Sequence, residues 1–169
     1  MSDRSHLIET GKPFAFDAQR DAEFEHLVTR YPTRESLILP SLWLVQEQEG
    51  WISAEAMAYV ADRIGTFASK VYEVATFYSM FETEKVGRHN VAFCTNISCW
   101  LNGAEALVAH AESRLGCKLG ESTADGRVYL KREEECVAAC CGAPVVVING
   151  HYHEKLTPAK VDELLDGLE

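Results

Sequence analysis

Along the first half of the chain, apolar positions recur with helical spacing. Phe24, Leu27 and Val28 share one face of a segment predicted helical from Asp17 to Arg30. Tyr31-Pro32 ends it, because a proline pushes the residue before it out of the helical region. Thr33 can cap a second helix, which Pro40 must kink or restart. That helix is predicted to run to Gln48 or Glu49, with Gly50 placed for the left-handed turn beyond its end. Ser53 caps a third, where Met57, Val60, Ala61 and Ile64 fall at i, i+3, i+4 and i+7. A fourth, from about Ser69 to Met80, puts Val71, Val74, Ala75 and Tyr78 on one face. Four amphipathic helices joined by short loops predict a small bundle.

The period then changes. Asn90–Phe93 reads as a short strand ending at Cys94, and Gly103 to Leu115 as an amphipathic helix presenting Ala106, Leu107, His110 and Ala111, stopped by Gly116. Val128–Lys131 is a predicted strand, and Val145–Ile148 is a β-branched run of the kind found in buried strands. Asn149-Gly150 is a strong two-residue hairpin signal that returns the chain through His151–Lys155. Thr157 as N-cap with Pro158 at the first helical position opens a last helix through Leu168. The expected organisation is an arm over residues 1–16, a helical bundle over 17–86 and a mixed α/β domain over 87–169.

Composition narrows the setting without changing this picture. The 169 residues are 47% hydrophobic and 25% charged, enough to build a core. The formal net charge of −10 disfavours nucleic acid and anionic membranes, whose binding depends on neutralising phosphate. No apolar run approaches the roughly 18 residues that span a bilayer, so no direct membrane insertion is expected. The opening Met-Ser-Asp-Arg-Ser-His has neither an apolar signal core nor transit-peptide character. A reducing, cytoplasmic setting follows, in which cysteines read as metal ligands or free thiols before they read as disulfides.

All six cysteines lie beyond residue 93. Four of them form two close pairs, Cys94-x4-Cys99 and Cys136-x3-Cys140, separated by 36 residues. Together the pairs supply the four thiolates that a [2Fe–2S] cluster or a structural zinc requires. The plant-type ferredoxin spacing fails, because Asn102 stands where its third cysteine would be. A Rieske centre fails for want of histidines paired with the cysteines. Zinc remains compatible with the spacing. The surroundings favour the cluster, since Ala138, Ala139, Gly142 and Ala143 are small enough to let backbone N–H groups approach inorganic sulfide.

The order strand, helix, strand, strand, hairpin return, helix is that of a small thioredoxin-like α/β fold. Pro144 stands where such folds commonly carry a cis proline, which makes Ala143–Pro144 a candidate cis bond. The Cys-x-x-Cys of thioredoxins is absent, so dithiol exchange is not expected. Three segments, Cys94-Thr-Asn-Ile-Ser-Cys99, Cys136-Val-Ala-Ala-Cys140-Cys-Gly-Ala-Pro144 and Glu73-Val-Ala-Thr-Phe-Tyr78, carry a family resemblance, with Gln46-Glu-Gln-Glu-Gly50-Trp as a fourth. From about Tyr31 onward the chain resembles the E-type subunit of bacterial NADH:quinone oxidoreductase (respiratory complex I), the counterpart of the mitochondrial 24-kDa-type subunit. The resemblance implies an α+β protein, a helical bundle followed by a thioredoxin-like ferredoxin domain. It also implies one [2Fe–2S] cluster on Cys94, Cys99, Cys136 and Cys140. The implied partners are the NADH- and FMN-binding flavoprotein subunit and other subunits of a peripheral arm on the cytoplasmic side of the inner membrane. The diaphorase subunits of NAD-linked formate dehydrogenases or hydrogenases share these motifs, and a non-redox zinc module is the alternative of a different class.

The remaining candidates carry less chemistry. Cys117 reads as a small apolar residue, and Cys141, beside a ligand, has no matching role in the resemblance. His151 and His153 alternate on the predicted hairpin and so share a face, exposed rather than metal-binding. His110 reads as a partly buried core histidine. Glu133-Glu-Glu135 reads as a solvated run, or as negative charge that disfavours reduction of an adjacent cluster. Trp100 either shields the site or fills the core beneath it, and Phe77, Tyr78 and Phe81 read as core packing ahead of a partner-facing anchor. No Gly-x-Gly-x-x-Gly, P-loop or Gly-x-Ser-x-Gly occurs, so no independent active site and no catalytic residue are expected.

Overall fold

A computed structural model describes residues 10–132 and 136–169 of the chain. It divides into two compact units, with the boundary between Lys85 and Val86. The Glu133–Glu135 run lies outside the described residues.

The first unit is helical: α1 Ala18–Arg30, a 3₁₀ turn Arg34–Leu37, α2 Ile38–Glu49, α3 Ala54–Ile64 and α4 Ala68–Phe77. Local chemistry starts and stops these helices. The Asp17 carboxylate accepts from the Arg20 N–H at 2.8 Å, and Ser53 Oγ accepts from the Ala56 N–H at 3.2 Å, each satisfying a donor the helix cannot. Pro40 falls in the first turn of α2, where its missing N–H costs nothing. The chain leads into that turn through the tighter 3₁₀ segment. Phe24, Leu42, Val45, Ile52, Val60, Ile64, Val71 and Phe81 fill the core. Phe16 belongs to it and Phe14 packs against it, both meeting the Tyr59 ring edge-on, with Phe14 and Phe16 centroids 5.4 and 5.2 Å away.

The fourth helix ends three residues earlier than the periodicity predicts, at Phe77 rather than Met80. The Gln46 side chain donates to the Met80 carbonyl at 2.8 Å and accepts from the Glu82 N–H at 2.7 Å. Ile52 N–H also donates to the Glu82 carbonyl at 2.8 Å. These bonds hold residues 80–82 in place of a further helical turn and insert Phe81, 1% exposed, into the core. The aromatic run therefore divides: Phe81 packs inside, whereas Phe77 is 78% and Tyr78 37% exposed.

The second unit contains a five-stranded sheet in the order β2-β3-β1-β4-β5, from β1 His89–Phe93, β2 Glu121–Ser122, β3 Val128–Leu130, β4 Val146–Ile148 and β5 His151–His153. β1 and β3 are parallel, joined through α5 Ile97–Leu101 and α6 Ala104–Leu115, and the other pairs are antiparallel. Alternation sends Val91, Phe93, Val128, Leu130, Val146 and Ile148 into one core with Leu107, Val108 and Ala111 of α6 and Val161 and Leu165 of α7 Pro158–Asp166. The buried face of α6 is Ala104, Leu107, Val108 and Ala111, so Ala106 faces outward, contrary to the expectation. Asn149 and Gly150 both take positive φ, 49° and 82°, as the tight hairpin requires. Thr157 Oγ1 caps α7 through the Lys160 N–H at 3.3 Å. The fold is thus α+β, as the sequence predicts, and Ala143–Pro144 is cis. Among the described residues no helix is long and apolar enough to cross a membrane.

Candidate metal centre

Strand register decides where the first cysteine pair sits. Phe93 of β1 lies opposite Val146 of β4, and the next residue, Cys94, donates its N–H to the Val145 carbonyl at 3.0 Å. The chain turns at Asn96 into α5, a short helix that the periodicity does not predict, and Cys99 is its third residue. Both sulfurs are enclosed, each residue being 2% exposed. This end of β1 is the carboxyl end of a strand, where α/β sheets characteristically place their ligands.

The second pair lies in the connection from β3 to β4, where Cys136, Cys140 and Cys141 are exposed. Ala138, between the two expected ligands, has φ 58°, a left-handed turn inside the Cys-x3-Cys loop. A 3₁₀ turn, Cys140–Gly142, leads from there to the cis proline. The two loops abut. Cys94, Cys99, Ala104 and Val145 form one small apolar cluster, against which Val137, Ala139 and Ala143 pack. The Ser98 hydroxyl joins the loops directly, donating to the Cys140 carbonyl at 3.3 Å.

The thiols are hydrogen-bonded within each pair, Cys94 with Cys99 and Cys136 with Cys140. Burial raises the Cys99 thiol to about 11, and its bond to Cys94 adds to the effect. Burial acts on Cys94 as well, but there the N–H groups of Asn96 and Val137, the Cys99 thiol and the Asn96 side-chain amide at 3.8 Å outweigh it and bring the thiol below its ordinary value. Cys94 is therefore the thiol of the buried pair that ionises first. The hydrogen bond with Cys136 leads the causes that raise Cys140, whose charge also interacts with that of Cys94 across the two loops. Among the described residues no group of three or more His, Cys, Asp or Glu side chains could hold a metal ion. The four thiols stand as two adjacent pairs.

Those residues fit a [2Fe–2S] cluster in their chemistry. They offer four soft donors, two from each loop, with small neighbours and with the N–H groups of Asn96, Val137 and Val145 directed at sulfur. The same donors match zinc in ligand type. Nothing in the residue types singles out the supporting groups. Asn96 and Val137 lie within the Cys-x4-Cys and Cys-x3-Cys spacings, and that position is the only signal pointing to them.

The other candidates fall elsewhere. Cys117 is buried in the core of the second unit, and burial raises its thiol, with Glu121 and Glu112 adding to it. Trp100 is half-exposed and its indole N–H donates to Glu105 Oε2 at 2.7 Å, so it does not fill the core beneath the loop. His110, half-buried on α6, meets Asp162 of α7 at 2.8 Å rather than an apolar surround. His151 and His153 both lie on β5.

A sequence model of the thioredoxin-like [2Fe–2S] ferredoxin family matches residues 24–169. The chain is 42% identical over 156 residues to the E-type subunit of NADH-quinone oxidoreductase from Rickettsia felis, covering 90% of this chain and 93% of the relative. It is 42% identical over 144 residues to a second E-type NADH-quinone oxidoreductase subunit, from Rhizobium meliloti, covering 85% of each. Among solved structures, the NAD+-reducing [NiFe]-hydrogenase in its air-oxidized state aligns with a TM-score of 0.68 at 23% identity, over 78% of this chain. The matched region is 22% of that hydrogenase chain, and at this identity the likeness is one of fold.

Proposed function

This chain belongs to the thioredoxin-like [2Fe–2S] ferredoxin family, and from that membership we propose that it is the E-type electron-transfer subunit of an NADH:quinone oxidoreductase, with one [2Fe–2S] cluster on Cys94, Cys99, Cys136 and Cys140. The observation that carries the reading is the meeting of two cysteine loops at the carboxyl end of β1, with backbone N–H groups directed at the sulfurs of Cys94 and Cys99. A cluster bound there supplies one-electron transfer with the flavin of an adjacent NADH-binding subunit.

What the chain's own residues contribute follows from their positions. The N–H groups of Asn96 and Val137 favour the Cys94 thiolate, which is the form that ligates. Ala104, Val145, Val137, Ala139 and Ala143 keep water from the buried pair, and a low dielectric strengthens each of those N–H···S contacts. Cys136 and Cys140, on the exposed side, leave the site open toward solvent or a partner. The subunit itself holds no independent catalytic site in this reading. It works in the peripheral arm, on the cytoplasmic face of the membrane, docked to the flavoprotein. Relatives about 40% identical and matched over most of their length favour this parent complex over a hydrogenase or formate dehydrogenase.

Anaerobic purification tests the proposal. The protein should be red-brown, contain iron and acid-labile sulfide in equal amounts, and give an S = ½ paramagnetic resonance signal once reduced. Colourless protein carrying one zinc and no iron would refute it.

A further inference from the structure

We propose that the Glu154 carboxylate is a fixed negative charge that lowers the reduction potential of the cluster, a reading that rests on the [2Fe–2S] site assigned above. Gly142 stands two residues beyond Cys140, in the same 3₁₀ turn. A Cβ built on Gly142 would overlap Glu154 Oε2 and Cδ and lie 2.6 Å from its Cγ. The carboxylate therefore rests directly on the backbone of the second cysteine loop, in space that only a glycine leaves open.

The two backbones that meet at this contact are hydrogen-bonded to each other. The Lys155 N–H donates to the Gly142 carbonyl at 2.6 Å, and the Leu156 N–H donates to the Pro144 carbonyl at 3.2 Å. Within the loop, Gly142 N–H donates to the Ala139 carbonyl at 2.9 Å, and Ser98 Oγ fixes the Cys140 carbonyl at 3.3 Å. The segment bearing Glu154 and the turn bearing Cys140 are therefore anchored to each other by their backbones. Lys160 reaches the same segment, but its Nζ donates to the Glu154 main-chain carbonyl at 2.6 Å, not to the carboxylate. Among the described residues none forms an ion pair with that carboxylate, so its charge is not neutralised by a direct partner.

Reduction adds one electron, and so one negative charge, to the cluster. A nearby fixed anion opposes that step by Coulomb repulsion, and charge around a cluster is one of the variables that set its potential. Glu154 is exposed, so solvent and salt weaken the effect without abolishing it. It acts through its field and is a positioning residue, not a ligand.

The test is a redox titration of the full chain with its cluster, against mediators of known potential, in wild type and three variants. Glu154→Gln keeps the shape and removes the charge, and Glu154→Asp keeps the charge. Glu121→Gln removes one charge from β2, at the opposite edge of the sheet from β5. At low salt, Glu154→Gln should favour the reduced form by roughly three- to tenfold, tenfold corresponding to about 59 mV for one electron. The shift should shrink at high salt, remain smaller in Glu154→Asp, and be absent in Glu121→Gln. Equal shifts in Glu154→Gln and Glu121→Gln, or no shift in Glu154→Gln, would overturn the inference, as would an Asp variant that moves as far as the Gln variant. A cluster present at full iron content with an unmoved potential overturns this inference alone. Wild-type protein that holds no iron overturns both it and the assignment of the site.

Discussion

Replacing Gln46 by leucine removes the clamp that ends α4. The amide makes two bonds to one short segment, 2.8 Å to the Met80 carbonyl and 2.7 Å to the Glu82 N–H, both partly buried. A typical intramolecular hydrogen bond contributes about 1 kcal/mol net, and a buried group left without a partner costs about 1–3 kcal/mol. Gln46 is half-buried, so water can reach part of the vacated site, and the loss should total about 2–3 kcal/mol. With a urea slope of about 1.5 kcal/mol/M for a unit of this size, the midpoint of the helical unit should fall by about 1.3–2 M. The assay is urea unfolding followed by far-ultraviolet circular dichroism. Near-ultraviolet dichroism adds a local readout, because the Trp43 ring packs edge-on against Phe81 at a centroid distance of 5.4 Å. Gln46→Glu should lie between the two, since it keeps the acceptor for Glu82 and loses the donor to Met80. A leucine variant within about 0.5 kcal/mol of wild type, with an unchanged tryptophan signal, would refute the clamp as the reason the helix stops.

Cys94→Ala, Cys99→Ala, Cys136→Ala or Cys140→Ala should each abolish the normal visible absorbance and iron content, whereas Cys117→Ala should keep both and cost about 1 kcal/mol by thermal unfolding. Ser41, fully buried in α2, has a hydroxyl without a hydrogen-bond partner among the described residues, so Ser41→Ala should stabilise the helical unit by about 1 kcal/mol in the same urea assay. Glu112 accepts from Lys118 Nζ at 2.8 Å and from the Leu119 N–H at 3.1 Å, and the Lys118 bond leads the causes that lower its carboxyl from 4.5. A lowered folded value means that its contribution is present above about pH 4.5 and is lost as pH falls through the folded value. Acid unfolding of Glu112→Gln should accordingly show a shallower loss of stability below that pH than wild type, and parallel curves would contradict the assignment.

Much of the fold is legible in the sequence because its signals are local. The caps at Ser53 and Thr157, the left-handed Gly50 and the Asn149-Gly150 hairpin each act within a few residues, and the structure places them as the pattern predicts. The end of α4 is not legible, because Gln46 acts on Met80 from 34 residues away. α5 escapes because five residues are too few to show a helical period, and β2 because two residues cannot show alternation. Ala106 misleads for a related reason: alanine sits on either face of a helix at little cost, so it carries almost no directional signal. The two close cysteine pairs are visible as spacings in the sequence, and the structure brings their loops together. The N–H groups of Asn96, Val137 and Val145 are not legible there, because every residue but proline carries an N–H and only the folded loops determine which of them reach sulfur.

The two pairs are unlike in a way that spacing conceals. Cys94 and Cys99 are anchored by β1 and α5, each 2% exposed, and each is a core residue as well as a candidate ligand. Cys136 and Cys140 occupy an exposed loop whose course is set by a left-handed Ala138, a 3₁₀ turn and a single hydroxyl reaching across from Ser98. Removing a sulfur from the first pair therefore opens a space among Ala104, Val145 and Val137, with a cost in the metal-free fold. Removing one from the second pair takes away a donor and little packing. Loss of the cluster in all four alanine variants would thus arise from two physical causes, separable by the stability of the metal-free protein. The rigid pair supplies a fixed wall of the site. The exposed pair, with Glu154 lying against its turn, is where the environment of a bound cluster is open to solvent, salt and a partner surface.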